Sequence, residues 1–224
     1  LLARDTKVID LAADFRLKDA SVWERWYGMP HACPELLPEA VYGLPEIHRE
    51  SIRGARLIAN PGCYPTAATL GFLPLLEQGL VDPGWIVADV KSGVSGAGRS
   101  LSQASHYCEV NESFKAYKVA AHRHNPEMDS VLSREAQKPV SITFVPHLIP
   151  MTRGMLTTIY ATPAAALSAQ DIVDCYTSVY SRRPFVRLCP SDGQPDTLHV
   201  RGTNYCDIGF KLDDRNNRLI LISV

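Results

Sequence analysis

The sequence lacks several features that would place a protein in a broad class at once. Its 23 basic and 24 acidic residues leave a net charge of −1, so there is no positive excess to attract nucleic acid or an anionic membrane. The longest uncharged window, 57–76, is interrupted by three prolines and two glycines, which a membrane-spanning helix would have to accommodate together. We therefore expect a small-molecule ligand, and neither nucleic acid nor membrane as a partner.

Cysteine pairs at metal-binding or disulfide-framework spacing are also absent. The six cysteines form no CxxC pair and no compact cluster, which argues against a disulfide scaffold and a structural zinc site. We expect free thiols in a reducing cytoplasm and no bound metal. The chain has no initiator methionine and no apolar run typical of a secretory signal, and we interpret it as a chain entered midway.

Short apolar runs in the first third of the sequence predict strands of a parallel sheet. They are 8–12 and 56–59, each followed by residues that break regular structure. Between them, 23–46 is rich in proline, glycine and aromatic residues and is interpreted as a long ordered loop. A helix is predicted from Pro65 towards Gly79, with Pro74 kinking or shortening its last turn.

The rest of the sequence predicts more strands with helices between them. Asn125, Pro126 and Glu127 are typical of a helix cap, a first helical residue and a dipole-favoured acid. The segments 140–149 and 155–162 are β-branched and predict adjacent antiparallel strands. The remaining predicted elements are a strand at 85–90, a helix at 168–180 and a hairpin of 207–212 with 218–224. The predicted fold is α/β: an α+β domain with a mixed, largely antiparallel sheet behind a short parallel remnant.

The motif Asn60-Pro61-Gly62-Cys63-Tyr64-Pro65-Thr66 is the sharpest chemical signal. Cys63 is predicted to lie just before a helix N-terminus, where unpaired N–H groups and the positive end of the helix dipole favour a thiolate. The alternative is a buried structural thiol, which we retain for the other five cysteines. For Cys63 the motif favours a nucleophile.

A candidate proton-transfer partner is supplied by His122-Arg123-His124. In an extended segment both imidazoles would point to one side, which suits acid/base or hydrogen-bonding roles. No third ligand at a recognised spacing accompanies them, so a metal site is disfavoured. Arg123 is either a solvated surface charge or a clamp for phosphate or carboxylate.

A glycine-rich turn, 92–99, follows the predicted strand at 85–90. Its small residues and N–H groups would let a phosphate or a nicotinamide approach closely, although glycines at 93, 96 and 98 do not form the GxGxxG dinucleotide fingerprint. Arg153-Gly154 is a second candidate anion site, and a purely structural role is equally plausible for it.

These motifs together resemble a known enzyme family. The segment Ile58–Thr66, with Gly71 and Pro74 downstream, is similar to the active-site signature of N-acetyl-gamma-glutamyl-phosphate reductase, the NADPH-dependent enzyme of arginine biosynthesis. Further segments that agree are 10–17, 42–46, 92–99, 122–127 and 150–154. A more distant resemblance is to aspartate-semialdehyde dehydrogenase, which shares the Asn-Pro-x-Cys type of turn.

The resemblance implies that Cys63 attacks an acyl phosphate to form a thioester, which NADPH then reduces to a semialdehyde. It implies His122 as the acid/base, with His124 as the second choice. Arg123 and Arg153 would bind anionic groups. The residues expected to face the nicotinamide are Ser95, Gly96 and Gly98.

The resemblance also implies a domain organisation and an assembly. Residues 1–60 would be the tail of an NADP-binding Rossmann domain, and 61–224 the catalytic and dimerisation domain of a homodimer or homotetramer. This chain alone is then expected to bind NADPH weakly or not at all and to have little reductase activity. Three alternatives remain open: a reductase of another acyl phosphate, such as aspartate-semialdehyde dehydrogenase, a cysteine hydrolase, or a non-catalytic oligomerisation domain.

Overall fold

The computed structural model of the protein describes residues 1–4, 6–190 and 193–224. They divide into two compact units, Leu1–Thr66 and Ala67–Val224, which are described separately. Among the described helices, none has the length and apolar character needed to cross a membrane.

The first unit contains a small parallel sheet. Its strands are β1 (Val8–Asp10), β2 (Val41–Tyr42) and β3 (Leu57–Ala59), and its helices are α1 (Ala20–Tyr27) and α2 (Pro45–Gly54). The strand order is β1-β3-β2, and β3 runs parallel to both neighbours. All three residues of the central β3 are buried, as expected for a strand with neighbours on both sides. The predicted parallel sheet is confirmed.

The segment 23–46 was predicted to be one long loop, but its first residues belong to a helix. α1 occupies 20–27 because Asp19 caps it, its carboxylate accepting from the backbone N–H of Ser21 at 2.8 Å. Gly28, in the left-handed region with φ 73°, ends the helix. The buried ring of Trp23 stacks on Tyr27, so the aromatic residues that suggested a loop form the inner face of a short helix.

The second unit is built on a seven-stranded mixed sheet with the order β5-β6-β4-β7-β10-β9-β8. The pairs β4–β6 and β8–β9 are parallel, and the other four are antiparallel. α3 (Cys63–Glu77) begins in the first unit and continues into the second. The elements after it are β4 (Val81–Ser92), α4 (Tyr107–Val110), β5 (Lys115–Ala116), α5 (Asn125–Glu135), β6 (Ile142–Leu148), β7 (Met155–Pro163), α6 (Ala169–Tyr180), β8 (Val186–Leu188), α7 (Thr197–Val200), β9 (Cys206–Asp213) and β10 (Arg218–Ser223). The largely antiparallel mixed sheet is confirmed.

The prediction that 140–149 and 155–162 pair directly was wrong. Both segments are strands, β6 and β7, but β4 lies between them, parallel to β6 and antiparallel to β7. Ser92, at the end of β4, pairs with Leu148 on one side and Met155 on the other. The connection between β6 and β7 therefore crosses the end of β4. Its length is also compatible with a hairpin, so the sequence could not distinguish the two paths.

Helix α3 packs directly on the sheet through Gly71. A Cβ at this position would lie 2.8 Å from Leu221 Cδ2 on β10, so only glycine permits this approach. The helix continues through Pro74 to Glu77. Proline has no N–H to donate to the Leu70 carbonyl four residues earlier, and the Tyr180 hydroxyl of α6 donates to that oxygen instead, at 2.7 Å. The proline predicted to kink or shorten the helix is thus accommodated by a side chain from a neighbouring helix.

Candidate active site

The turn between β3 and α3 presents Cys63 on a buried base. Cys63 is the first residue of α3 rather than the residue before it, and its side chain is exposed. Pro61, Gly62 and Tyr64 around it are buried. The carbonyl of Gly62 accepts from both the N–H and the hydroxyl of Thr66, at 3.0 and 2.9 Å, which closes the first helical turn. The thiol therefore lies at a helix N-terminus, where the dipole favours an anion.

Residues distant in sequence attach to this turn at Asn60. The Asn60 N–H donates to the carbonyl of Asp10 at 2.9 Å, and its carbonyl accepts from Arg16 Nε at 2.7 Å. Arg16 is only 9% exposed, and its Nη2 donates to the Leu11 carbonyl at 3.3 Å. We did not predict a site role for Arg16. The only available signal was its position in the segment 10–17, which was used for the resemblance alone.

His122 and His124 are brought together, as predicted, but by a turn. Their ring centroids are 4.7 Å apart. His124 has helical backbone angles (φ −78°, ψ −12°) at the start of α5, so the segment is not extended. Its backbone N–H donates to His122 Nδ1 at 3.0 Å. Because Nδ1 is an acceptor, the proton of neutral His122 resides on Nε2.

The surroundings of His122 favour this neutral form. Its ring meets Tyr117 and Phe144 edge-on, with centroid distances of 5.7 and 5.5 Å. Burial, followed by the positive charges of Lys118 and Arg123, lowers the pKa of His122 to about 4. His122 is therefore neutral at pH 7 in the absence of a bound anion.

Helix α5 is fastened to the sheet through Ile142. Asn125, predicted to cap the helix, is its first helical residue, and its Nδ2 donates to the Ile142 carbonyl at 3.1 Å. Asp129, one turn later, accepts from the Ile142 N–H at 2.9 Å, and burial raises the pKa of its carboxyl. The helix therefore begins one residue earlier than predicted, with His124 at the cap position and the Asn125 side chain bonded to the sheet.

Backbone hydrogen bonds join two segments singled out in the sequence, 92–99 and 150–154. Gly93 N–H donates to the Gly154 carbonyl at 3.0 Å, and Ser95 N–H donates to the Thr152 carbonyl at 3.0 Å. A Cβ on Gly93 would lie 2.8 Å from the Met151 carbonyl oxygen and 3.0 Å from the Arg153 nitrogen, so Gly93 permits this close approach. These hydrogen bonds place the exposed Ser95–Gly98 loop beside the backbone of Arg153.

A cavity of about 450 Å³ opens between these two segments and the chain around α4. Arg99, Tyr107 and Asn111 supply polar groups to it, and Ser95 and Gly98 contribute the loop. Arg123 and Arg153 are both exposed residues. The second unit thus provides a pocket and a pair of imidazoles, while the exposed thiol belongs to the first unit.

Metal ligation is not indicated by the side chains that the structure describes. Within residues 1–4, 6–190 and 193–224, His, Cys, Asp and Glu form no group of three or more around a common point. The six cysteines are free thiols, of which Cys63 and Cys108 are exposed.

Comparison with known families identifies the fold. Residues 63–224 match the family model described as semialdehyde dehydrogenase, dimerisation domain. The chain belongs to the semialdehyde dehydrogenase family. A second model of the same family, the NAD binding domain, matches residues 1–55. The match to a nicotinamide-binding domain thus falls in the first unit, and the match to the dimerisation domain covers the second.

Curated relatives of this semialdehyde dehydrogenase family member carry the name predicted from its motifs. It is 56% identical over its whole length to N-acetyl-gamma-glutamyl-phosphate reductase of Syntrophobacter fumaroxidans and 55% identical to that of Alkalilimnicola ehrlichii. The chain spans 64% and 65% of the length of these relatives. The resemblance to this group of reductases is confirmed.

A solved structure supports the fold of this semialdehyde dehydrogenase family member independently. Aspartate semialdehyde dehydrogenase II from Vibrio cholerae matches 83% of the chain with a TM-score of 0.65, covering 62% of the crystallised chain. The identity is 14%, so this likeness concerns the fold alone. The relatives at 52–56% identity are reductases of N-acetyl-gamma-glutamyl phosphate, and they do not favour the aspartate-semialdehyde alternative.

Proposed function

We propose that this chain carries the catalytic domain of an N-acetyl-gamma-glutamyl-phosphate reductase. The reaction is the NADPH-dependent reduction of N-acetyl-L-glutamyl 5-phosphate to N-acetyl-L-glutamate 5-semialdehyde and phosphate, in arginine biosynthesis. The observation that carries the proposal is the exposed Cys63 at the N-terminus of α3, in a chain 56% identical to such a reductase. Residues 1–60 then belong to the NADP-binding domain, and 61–224 form the catalytic and dimerisation domain.

The first chemical step is acyl transfer to sulfur. The Cys63 thiolate attacks the acyl carbon, the carbon–oxygen bond to phosphate breaks, and phosphate leaves with the electron pair. Phosphate is a good leaving group and needs no strong acid. The exposed guanidinium groups of Arg123 and Arg153 bind the phosphate and carboxylate charges of the substrate.

The second step reduces the thioester. The loop containing Ser95, Gly96 and Gly98, whose exposed backbone borders the cavity, would hold the nicotinamide, which would supply the hydride when bound. The thioester carbonyl oxygen becomes an oxyanion, which His122 stabilises and helps to protonate from Nε2–H, with His124 as its neighbour. The hydroxyl proton of the thiohemiacetal then returns to His122, the carbon–sulfur bond breaks with its electron pair going to Cys63, and the semialdehyde departs.

The cofactor, assembly and location follow from the same proposal. The match of residues 1–55 to an NAD binding domain supports a nicotinamide cofactor, and we propose NADPH rather than NADH. The match to a dimerisation domain supports a homo-oligomer. We place the enzyme in the cytoplasm, with the acyl phosphate as its small-molecule partner.

The proposal is tested by acylating the chain without cofactor. Mixed with N-acetylglutamyl phosphate, the wild-type chain should release one equivalent of phosphate in a burst, and a digest should show the acyl group on the peptide containing Cys63. Cys63→Ala should abolish both signals, because no thiolate remains to form the thioester. Cys108→Ala, which removes the other exposed thiol, is the matched control and should behave as wild type.

Two results would contradict this assignment. Equal bursts from the Cys63→Ala and wild-type chains would exclude Cys63 as the nucleophile. Continuous turnover of an ester or amide would instead indicate a cysteine hydrolase.

A further inference from the structure

We propose that Arg16 is a positioning residue that holds the turn carrying Cys63. Its importance for catalysis rests on the proposed function, but its effect on the turn does not. Arg16 belongs to the segment 10–17, and it lies 47 positions before the cysteine in sequence. The structure links the two through the peptide of Asn60.

The guanidinium of Arg16 bridges two strand ends. Nε donates to the carbonyl of Asn60, the residue after β3, at 2.7 Å, and Nη2 donates to the carbonyl of Leu11, just after β1, at 3.3 Å. β1 and β3 are parallel neighbours, so both carbonyls lie at the same edge of the sheet. One planar side chain thereby fixes the spacing of the chain ends from which the nucleophile turn departs.

The Asn60 peptide is also held from its other side. Its N–H donates to the Asp10 carbonyl at 2.9 Å. The N–H of Gly43 donates to the Ala59 carbonyl at 2.8 Å, and a Cβ on Gly43 would lie 2.8 Å from Ile58 Cγ2. The segments 10–17 and 42–46 thus converge on the residues that precede Cys63.

The burial of Arg16 indicates a structural role, because an arginine that serves only solubility would lie at the surface. Removing a guanidinium from water is costly unless its N–H groups find acceptors, and here they find backbone carbonyls. A displacement of about 1 Å at a reacting group can reduce a rate by about 10²-fold. A bridge at Asn60 therefore controls where the Cys63 sulfur lies.

The test uses the cysteines of the chain as internal reporters. Wild-type, Arg16→Met and Arg16→Lys chains are alkylated with iodoacetamide from pH 6 to 10, and each thiol is quantified by mass spectrometry after digestion. Arg16→Met should slow Cys63 by about 10-fold or more at pH 7 and move its pH profile upward, because the sulfur leaves the helix N-terminus. Exposed Cys108, in the second unit, should keep its rate.

Arg16→Lys separates bridging from charge. Lysine keeps the positive charge but lacks the rigid fork that reaches both carbonyls, so its Cys63 rate should also fall. The half-buried Cys33 reports whether the first unit remains folded. Faster alkylation of Cys33 in Arg16→Met would mean that this substitution unfolds the first unit. The Cys63 rate is then compared between the wild-type and Arg16→Lys chains instead. Arg49→Met, at an exposed arginine of α2, is the matched control and should leave all three thiols unchanged.

Two outcomes would overturn the proposal. A wild-type Cys63 profile in Arg16→Met would show that the bridge does not position the thiol, and a wild-type profile in Arg16→Lys would show that charge alone suffices. Either result leaves the acylation assay of the wild-type chain unaffected. Failure of that assay, with the Arg16 effects present, would instead reject the proposed reaction and retain the positioning role.

Discussion

His122 illustrates how one backbone hydrogen bond sets the chemistry of a side chain. The N–H of His124 occupies Nδ1 of His122, so the ring offers Nε2–H to its surroundings. Burial and two nearby cations lower the pKa of His122, whereas a bound phosphate would raise it by opposing those cations. Under the proposed function, the ring therefore becomes a better proton carrier when the anionic substrate is bound.

The low pKa of His122 predicts acid sensitivity of the fold. Its pKa is about 4 in the folded chain, against 6.5 as the ordinary value, so between these pH values the unfolded chain binds more protons. The free energy of unfolding should thus fall as the pH drops from about 6.5 to 4, by about 2 kcal/mol after allowance for solvent screening. His122→Gln cannot take up this proton and should lose less stability over the same range.

Urea unfolding at pH 7 and pH 4.5 measures this difference. The comparison is between the two slopes with pH, since other groups titrate equally in both chains. Identical losses in the wild-type and His122→Gln chains would show that the His122 ring is not held neutral by folding.

Among individual residues, groups with reactive chemistry could be singled out from the sequence, and buried supporting residues could not. Cys63 and the histidine pair were proposed because a thiol before a helix and two nearby imidazoles suit nucleophilic and acid/base chemistry. Arg16 was missed because its partners are backbone carbonyls, which no sequence pattern identifies. Burial of an arginine depends on tertiary structure, and only the fold brings Leu11 and Asn60 to the same place.

At the scale of an element, α3 shows how a helix tolerates an internal proline. Pro74 leaves the Leu70 carbonyl without its usual donor, and Tyr180 of α6 replaces it. Tyr176 of α6 donates to the next carbonyl, that of Gly71. The helix pair α3 and α6 is therefore joined by hydroxyl groups where the backbone ladder is incomplete.

A double-mutant cycle should reveal this substitution of one donor for another. Tyr180→Phe alone should lower the free energy of unfolding by about 1–3 kcal/mol, since the buried Leu70 carbonyl loses its partner. In a Pro74→Ala background, alanine restores the N–H donor, so the same change should cost less than about 1 kcal/mol. Equal costs in both backgrounds, measured by urea unfolding, would contradict the link between Pro74 and Tyr180.

Helices and strands with a local sequence pattern could be predicted. The exact ends of these elements and the order of strands in the sheet could not. The helix at 168–180 was predicted, and the structure shows that Ser168 and Asp171 form a capping box at its start. α1 was not predicted because its aromatic residues suggested a loop, and Asn125 is the first residue of α5 rather than its cap. Strand order depends on which edges remain available, and the placement of β4 between β6 and β7 is a property of the whole sheet.

At the scale of the whole second unit, the sheet has two different faces. α3 covers one, packing through Gly71 against Leu221. The other face carries a row of half-buried side chains in register, Val87, Tyr160 and Ile220, on three neighbouring strands. An apolar row of this kind fits the dimerisation domain that residues 63–224 match.

A charge in that row should separate the subunits of the proposed dimer. Val87→Lys places an ammonium group in this apolar row, where desolvation on association would be costly. Sedimentation should show a dimer for the wild-type chain and a shift towards monomer by at least 10-fold in dissociation constant for Val87→Lys. Leu198→Lys, at an exposed position in α7, is the control and should remain dimeric.

A Val87→Lys chain that sediments as a dimer would place the interface elsewhere. A wild-type chain that is monomeric at every concentration would reject dimerisation by this chain alone.

The position of β10 in the sheet has a consequence for synthesis. β10 contains residues 218–223, yet it lies in the interior of the sheet, between β7 and β9. During synthesis on a ribosome, β4, β6 and β7 emerge well before β10. Until β10 emerges, the edge of β7 that pairs with it has unpaired backbone N–H and C=O groups. Folding of this domain should therefore finish only after residue 223 has left the exit tunnel. A nascent chain stalled earlier would expose an edge suited to wrong pairing with its neighbours on the same messenger.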